Sequence, residues 1–195
     1  MDSTNNELTY NVAQLLKERV GSTRKLDVSI ETLPLYEDGD EDLDAHDLEG
    51  TVKVTNLGEG VLVQGDVKAI VHVQCSRCLT DINLPVEGQL EEQFRPTVDV
   101  ETGRAVQRQS YEVDDTAFDI DANHIMDLTE PVRQALLVAM DMRPLCREDC
   151  KGLCPECGAN RNDVDCGHEQ VVEDSRWAAL RELDLSDLST DRNKN

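Results

Sequence analysis

The sequence predicts an α+β fold: an antiparallel β-meander or partly open barrel, a covering helix, and a C-terminal Cys/His module. Three observations carry this. Two runs of period-two alternation, "VLVQGDVKAIVHVQC" (61–75) and "INLPVEGQLEEQF" (82–94), are separated only by a short turn. Residues 119–142 place apolar side chains at helical spacing. The stretch "PLCREDCKGLCPECGANRNDVDCGH" (144–168) gathers cysteines and a histidine at spacings that suit metal ligation.

Residues 8–20, "LTYNVAQLLKERV", read as a short strand or helix ending before Gly21, and "KLDVSIETLPL" (25–35) as a strand. Residues 36–50, "YEDGDEDLDAHDLEG", carry acids and no Lys or Arg. Such a run stays solvated, so an acidic loop is expected there. "TVKVTNLGEG" supplies a strand and a glycine-containing turn. In the next strand Val61, Val63, Val67, Ala69, Val71, Val73 and Cys75 share one face; in its partner Ile82, Leu84, Val86, Leu90 and Phe94 do. The two form an antiparallel hairpin, with Gly65 and Gly88 as bulges or bends.

Residues 96–117 are polar and irregular. "DIDANHIMDLTEPVRQALLVAMDM" (119–142) reads as the covering helix, capped by Asp121 or Asn123. Pro131 restarts or kinks it, with Thr129 as a second cap. "EDSRWAALREL" (173–183) reads as a short amphipathic helix. The expected organisation is an α+β domain at 1–142, a metal module with its terminal helix at 143–183, and a disordered tail at 184–195.

The charge narrows the function. With 41 acids against 19 bases the net charge is −22. Broad binding along a phosphate backbone needs Lys and Arg, so such binding is disfavoured and the field selects basic partners. The first apolar residues sit in "NNELTYNVAQLLKERVG", which does not read as a signal peptide, and no apolar run reaches membrane-spanning length. A cytoplasmic chain with an odd number of cysteines, seven, points to metal rather than disulfides.

Cys154-Pro-Glu-Cys157-Gly is a knuckle, and Cys166-Gly-His168 completes four ligands. A closed Cys/His set of this kind suits a structural zinc, which makes the C-terminal segment a zinc module. Cys146 and Cys150 remain, with Cys75 and Cys78 in the hairpin turn "QCSRCLT". Three groupings are open. Cys154, Cys157, Cys166 and His168 hold one zinc and the others are bystanders; or Cys75, Cys78, Cys146 and Cys150 hold a second; or Cys146, Cys150, Cys154 and Cys157 share one ion. The expectation is therefore one zinc or two. Cys75 and Cys78 can also be read as ordinary half-buried thiols. His46, His72 and His124 read as surface residues.

No nucleophile motif, phosphate loop or His-Glu-x-x-His is found, and four protein ligands leave no open coordination position, so no catalysis is expected. Arg143, Arg147, Lys151 and Arg161 make residues 142–162 locally less acidic and are the candidate partner-binding side chains.

The order "LTYNVAQLLKERVGSTRKLDV", "VQCSRCLTDINLPV", "RPLCREDCKGLCPECGANRN" and "DSRWAALREL" resembles the bacterial YceD family, the large ribosomal RNA subunit accumulation proteins, in its Gram-positive, cysteine-tailed form. The resemblance spans about residues 8–183. It implies a non-enzymatic cytoplasmic factor for accumulation of large-subunit ribosomal RNA, whose genes often neighbour that of a small large-subunit ribosomal protein. Its expected partners are ribosomal RNA or a basic ribosomal protein. The cysteines at 75, 78, 146, 150, 154 and 157 match the family pattern. Cys166-Gly-His168 departs from its commoner ending, and the acidic stretch 36–50 is not a feature of the family and speaks against broad direct contact with RNA. The alternatives are a zinc-ribbon nucleic-acid-binding or transcription-related protein and a thiol-redox or zinc enzyme.

Overall fold

The computed structural model describes residues 8–36, 43–106 and 117–168. The chain divides into two compact units, Met1–Cys150 and Lys151–Asn195. The described part of the first contains β1 (Thr9–Asn11), α1 (Ala13–Lys17), β2 (Thr23–Pro34), β3 (Asp44–Asn56), β4 (Val61–Gln74), β5 (Asp81–Pro96), β6 (Phe118–Ile120), β7 (Ile125–Asp127) and α2 (Thr129–Ala139).

The strands form one sheet in the order β1-β7-β6-β5-β4-β3-β2. From β2 to β5 it is the expected antiparallel meander. It is not antiparallel throughout: β6 runs parallel to β5, pairing Phe94 with Phe118 and Pro96 with Ile120. The physical reason is the long connection after Pro96, which carries the chain back to start β6 in the same direction as β5; a tight turn would reverse it. At the far edge β1 pairs with β7. The Tyr10 hydroxyl of β1 donates to the Asp27 carbonyl of β2 at 2.9 Å. The first and last strands of the sheet therefore approach each other, and the sheet curls into a half-barrel.

The alternation read from β4 and β5 sets the inner face. Val61, Val63, Val67, Ala69, Val71, Val86, Leu90 and Phe94 are all buried. Burying such faces is the main stabilising term, about 1.5–3 kcal/mol for each large side chain. The register of β4 with β5 runs unbroken from Val61↔Phe94 to Gln74↔Asp81. Gly65 and Gly88 are thus not bulges in this pair. They mark close approach: a Cβ on Gly65 would meet the Thr51 carbonyl oxygen at 2.3 Å, and one on Gly88 the Ala135 backbone at 3.0 Å. Through Gly88, α2 lies down on β5 as the covering helix.

Two expectations are corrected. Asp44 to Gly50 belong to β3 rather than to an acidic loop; residues 37–42 lie outside the described residues. Ala45 and Leu48 are fully buried. A bulge between His46 and Glu49, with Asp47 at φ 51°, turns both inward while the acids stay on the outer face. Residues 119–142 are not one helix. Asp121 accepts hydrogen bonds from the backbone of Asn123 and Ile125 at 2.8 and 2.7 Å, closing the β6–β7 turn instead of capping a helix. The helix begins at Thr129, whose N–H bonds to Asp127 Oδ1 at 2.8 Å, with Pro131 in its first turn. The helix read at 173–183 and the tail lie outside the described residues.

Candidate metal centres

Each knuckle is built by the same backbone pattern. At the tip of the β4–β5 hairpin, Cys75 N–H bonds to the Thr80 carbonyl at 2.9 Å and Leu79 N–H to the Cys75 carbonyl at 3.0 Å. In the second unit, Cys154 N–H bonds to the Ala159 carbonyl and Gly158 N–H to the Cys154 carbonyl, both at 2.8 Å. The fifth residue of each turn is left-handed: Gly158 at φ 72° and Leu79 at φ 57°. Glycine takes this conformation freely and leucine does not.

Cys146 and Cys150 come to the hairpin tip. Ser76 N–H bonds to the Pro144 carbonyl at 2.8 Å, and the Arg77 guanidinium donates to the Cys150 carbonyl at 2.9 Å. Cys75 Sγ then lies 3.8 Å from Cys150 Sγ, and Cys78 Sγ 3.6 Å from Cys146 Sγ. In the second unit Cys154 Sγ lies 3.7 Å from His168 Nδ1. The ligand atoms of Cys75, Cys78, Cys146 and Cys150, and those of Cys154, Cys157, Cys166 and His168, lie within 4.8 Å of one another in each set.

These separations decide between two chemistries. A disulfide holds its sulfurs about 2.0 Å apart, and all seven cysteines are free thiols. A tetrahedral ion with metal–sulfur bonds of about 2.3 Å holds its sulfurs about 3.8 Å apart. Both sets have the donors and spacing to hold a metal ion.

The electrostatics point the same way. Burial raises the Cys75 thiol, but N–H groups of Cys146, Cys78 and Arg77 outweigh it and lower the thiol to about 6. Cys146 is pushed up to about 12, first by burial, then by hydrogen bonding and charge from the neighbouring sulfurs. In the second set the N–H groups of Cys157 and Glu156 lower Cys154 to about 6. Cys157 is raised: the Ala159 N–H acts to lower it, but the Cys154 sulfur and burial prevail. Without a cation each set favours one thiolate and resists more; a divalent ion supplies the missing countercharge.

The sets differ in setting. Cys75, Cys78 and Cys150 are buried and Cys146 is exposed; in the other set only Cys154 is buried. Of the candidate partner-binding side chains, Arg143, Arg147 and Lys151 are exposed and Arg161 is half-buried. Arg147 pairs with Asp149 at 3.5 Å. Sequence reasoning did not single out Arg77; its place between two ligand cysteines was the available signal. Of the histidines read as surface residues, His72 is exposed and His46 and His124 are half-buried; His46 packs edge-on against His72 at 4.8 Å between centroids, and His124, at φ 61°, has a buried Nδ1.

The family described as "Large ribosomal RNA subunit accumulation protein YceD" matches residues 63–184, a stretch that holds every ligand of both sets. The chain belongs to the YceD family. Uncharacterized proteins of Mycobacterium bovis and Mycobacterium tuberculosis are 34% identical to it over 141 residues, covering 68% of this chain and 59% of theirs. One from Mycobacterium leprae is 30% identical over 137 residues, covering 70% and 59%. The chain thus spans 59% of the length of these relatives. No solved structure matches it. No helix among the described residues is long and apolar enough to cross a membrane.

Proposed function

We propose that this protein is a non-enzymatic, cytoplasmic factor for accumulation of large-subunit ribosomal RNA, and that zinc at both Cys/His sets stabilises the surface that meets its partner. The observation that carries the reading is the YceD match over the segment that holds both sets. Thiolate and imidazole donors in four-coordinate sets favour zinc, and four protein ligands leave no position for a substrate. The net charge of −22 favours a basic ribosomal protein of the large subunit over bare RNA as the direct partner, with RNA contacts confined to the arginines near the cysteines.

The test is a native-salt pull-down of the tagged full chain from its own cells, with co-purifying RNA and proteins identified. Enrichment of large-subunit precursors and a basic ribosomal protein is expected, and it persists when Arg143 and Arg147 are replaced. Recovery of neither ribosomal RNA nor ribosomal proteins contradicts the reading.

A further inference from the structure

The two sets sit in very different surroundings. Cys75 and Cys78 close a hairpin whose strands are long and paired without a break, Val61–Gln74 with Asp81–Phe94. That hairpin is fixed by the hydrophobic core before any ion binds. Among the described residues, every residue of that core, and every partly buried apolar residue packed on it, lies between Leu8 and Met140. Among the described residues the second set has no such support. Among residues 151–168 only Gly152 and Cys154 are buried, and Val164 is 55% exposed. Among the described residues this stretch is held by one bridge, Leu153 with Asn160, and by short hydrogen bonds such as Arg161 N–H to the Gly152 carbonyl at 3.0 Å and Lys151 N–H to Asn162 Oδ1 at 2.8 Å.

A stretch of eighteen residues (151 to 168) whose only buried side chain is the ligand Cys154 cannot offset its own conformational entropy, and where a metal is the main cross-link its binding energy becomes folding energy. Two consequences follow from linkage. The ion in the second set must order its own binding site, so its net affinity is lower. Its ligands Cys157 and His168 are exposed, so a competing chelator reaches it directly.

We propose that the two sets have different roles: Cys75, Cys78, Cys146 and Cys150 form a permanent structural lock, and Cys154, Cys157, Cys166 and His168 form an exchangeable site for a thiophilic divalent ion whose occupancy folds residues 151–168. This deepens the proposed function and rests on it in one respect. If the zinc-stabilised surface includes Lys151 and Arg161, metal availability governs whether that part of it is assembled.

The experiment uses the full chain loaded with zinc and titrated with EDTA, following released zinc with a colorimetric indicator and the backbone amides by heteronuclear NMR. No ribosomal partner is present, so the result is independent of the pull-down. One zinc per chain is expected to leave first, at a clearly lower chelator concentration than the other. Amides of 151–168 lose dispersion in that step, while those of the hairpin residues 61–94 stay unchanged. Cys157→Ser should reproduce the first-step spectrum without chelator, and Cys75→Ser should not. Simultaneous loss of both ions overturns the proposal. So does a first loss that perturbs residues 75–78, a first loss that leaves 151–168 dispersed, or a chain that holds only one zinc.

Discussion

The Arg77 guanidinium, which stands between Cys75 and Cys78, donates to the carbonyl of Cys150 at 2.9 Å and reaches that of Glu148 at 3.5 Å. A side chain from the hairpin thus holds the backbone of a ligand loop that lies over seventy residues away in sequence. Such outer contacts orient metal ligands without touching the ion. Arg77→Ala should speed zinc release from the first set by about 10- to 100-fold while leaving stoichiometry unchanged. Lysine, a point charge without the planar fork, should restore only part of the effect. Release kinetics with a chelating indicator check this; an unchanged rate in Arg77→Ala would remove the role.

Leu79 occupies the left-handed position that Gly158 fills in the other knuckle. It is 58% exposed, so little burial offsets the strain. Leu79→Gly should stabilise the zinc-loaded protein by up to about 1 kcal/mol in denaturant unfolding, against the usual cost of a leucine deletion. A loss above about 1 kcal/mol would show that Leu79 packs on something the strain serves.

Asn56 is buried, and its amide spans α1 and the β3–β4 turn. Nδ2 donates to the carbonyls of Leu15 at 2.8 Å and Glu18 at 3.1 Å, and Oδ1 accepts from Gly58 N–H at 2.7 Å. Asn56→Ala leaves these groups without partners and should cost about 2–3 kcal/mol of stability. Thermal unfolding reads this out, and a cost below about 0.5 kcal/mol would place the helix cap elsewhere.

Metal uptake should release protons. With Cys75 lowered to about 6 and Cys146 raised to about 12, the metal-free first set near neutral pH holds a thiolate at Cys75 and a proton on Cys146. Binding displaces that proton, so zinc affinity should rise with pH by about tenfold per unit for each proton displaced. Below the Cys75 value of about 6 a further proton, on Cys75 itself, competes and the dependence steepens. Calorimetry in buffers of different ionisation enthalpy counts the protons. Uptake with no release would mean the thiols are already ionised.

Much of this fold is legible in the chain. The alternation of Val61 to Val71 and of Val86 to Phe94 fixed the inner face because both strands bury one face and expose the other. Asp44 to Gly50 misled because acidic residues are counted over a window, whereas β3 needs only Ala45 and Leu48 to face inward, and a bulge at Asp47 allows it. Residues 119–128 misled because Ile125 and Leu128 happen to extend the helical spacing of α2, while Asp121 commits the backbone to a turn. In the metal centres each ligand is visible as a residue type. Which cysteines meet is set by the hairpin and by Arg77, and sequence spacing alone left three groupings open.

The central claim is that eight ligands make two separate sites in one chain. The most direct test is the zinc content of the purified full chain, by elemental analysis with native mass spectrometry, beside Cys146→Ser and Cys157→Ser. The account predicts two ions in the native chain and one in each variant. A single ion in the native chain, or a variant that keeps the full native content, would contradict it.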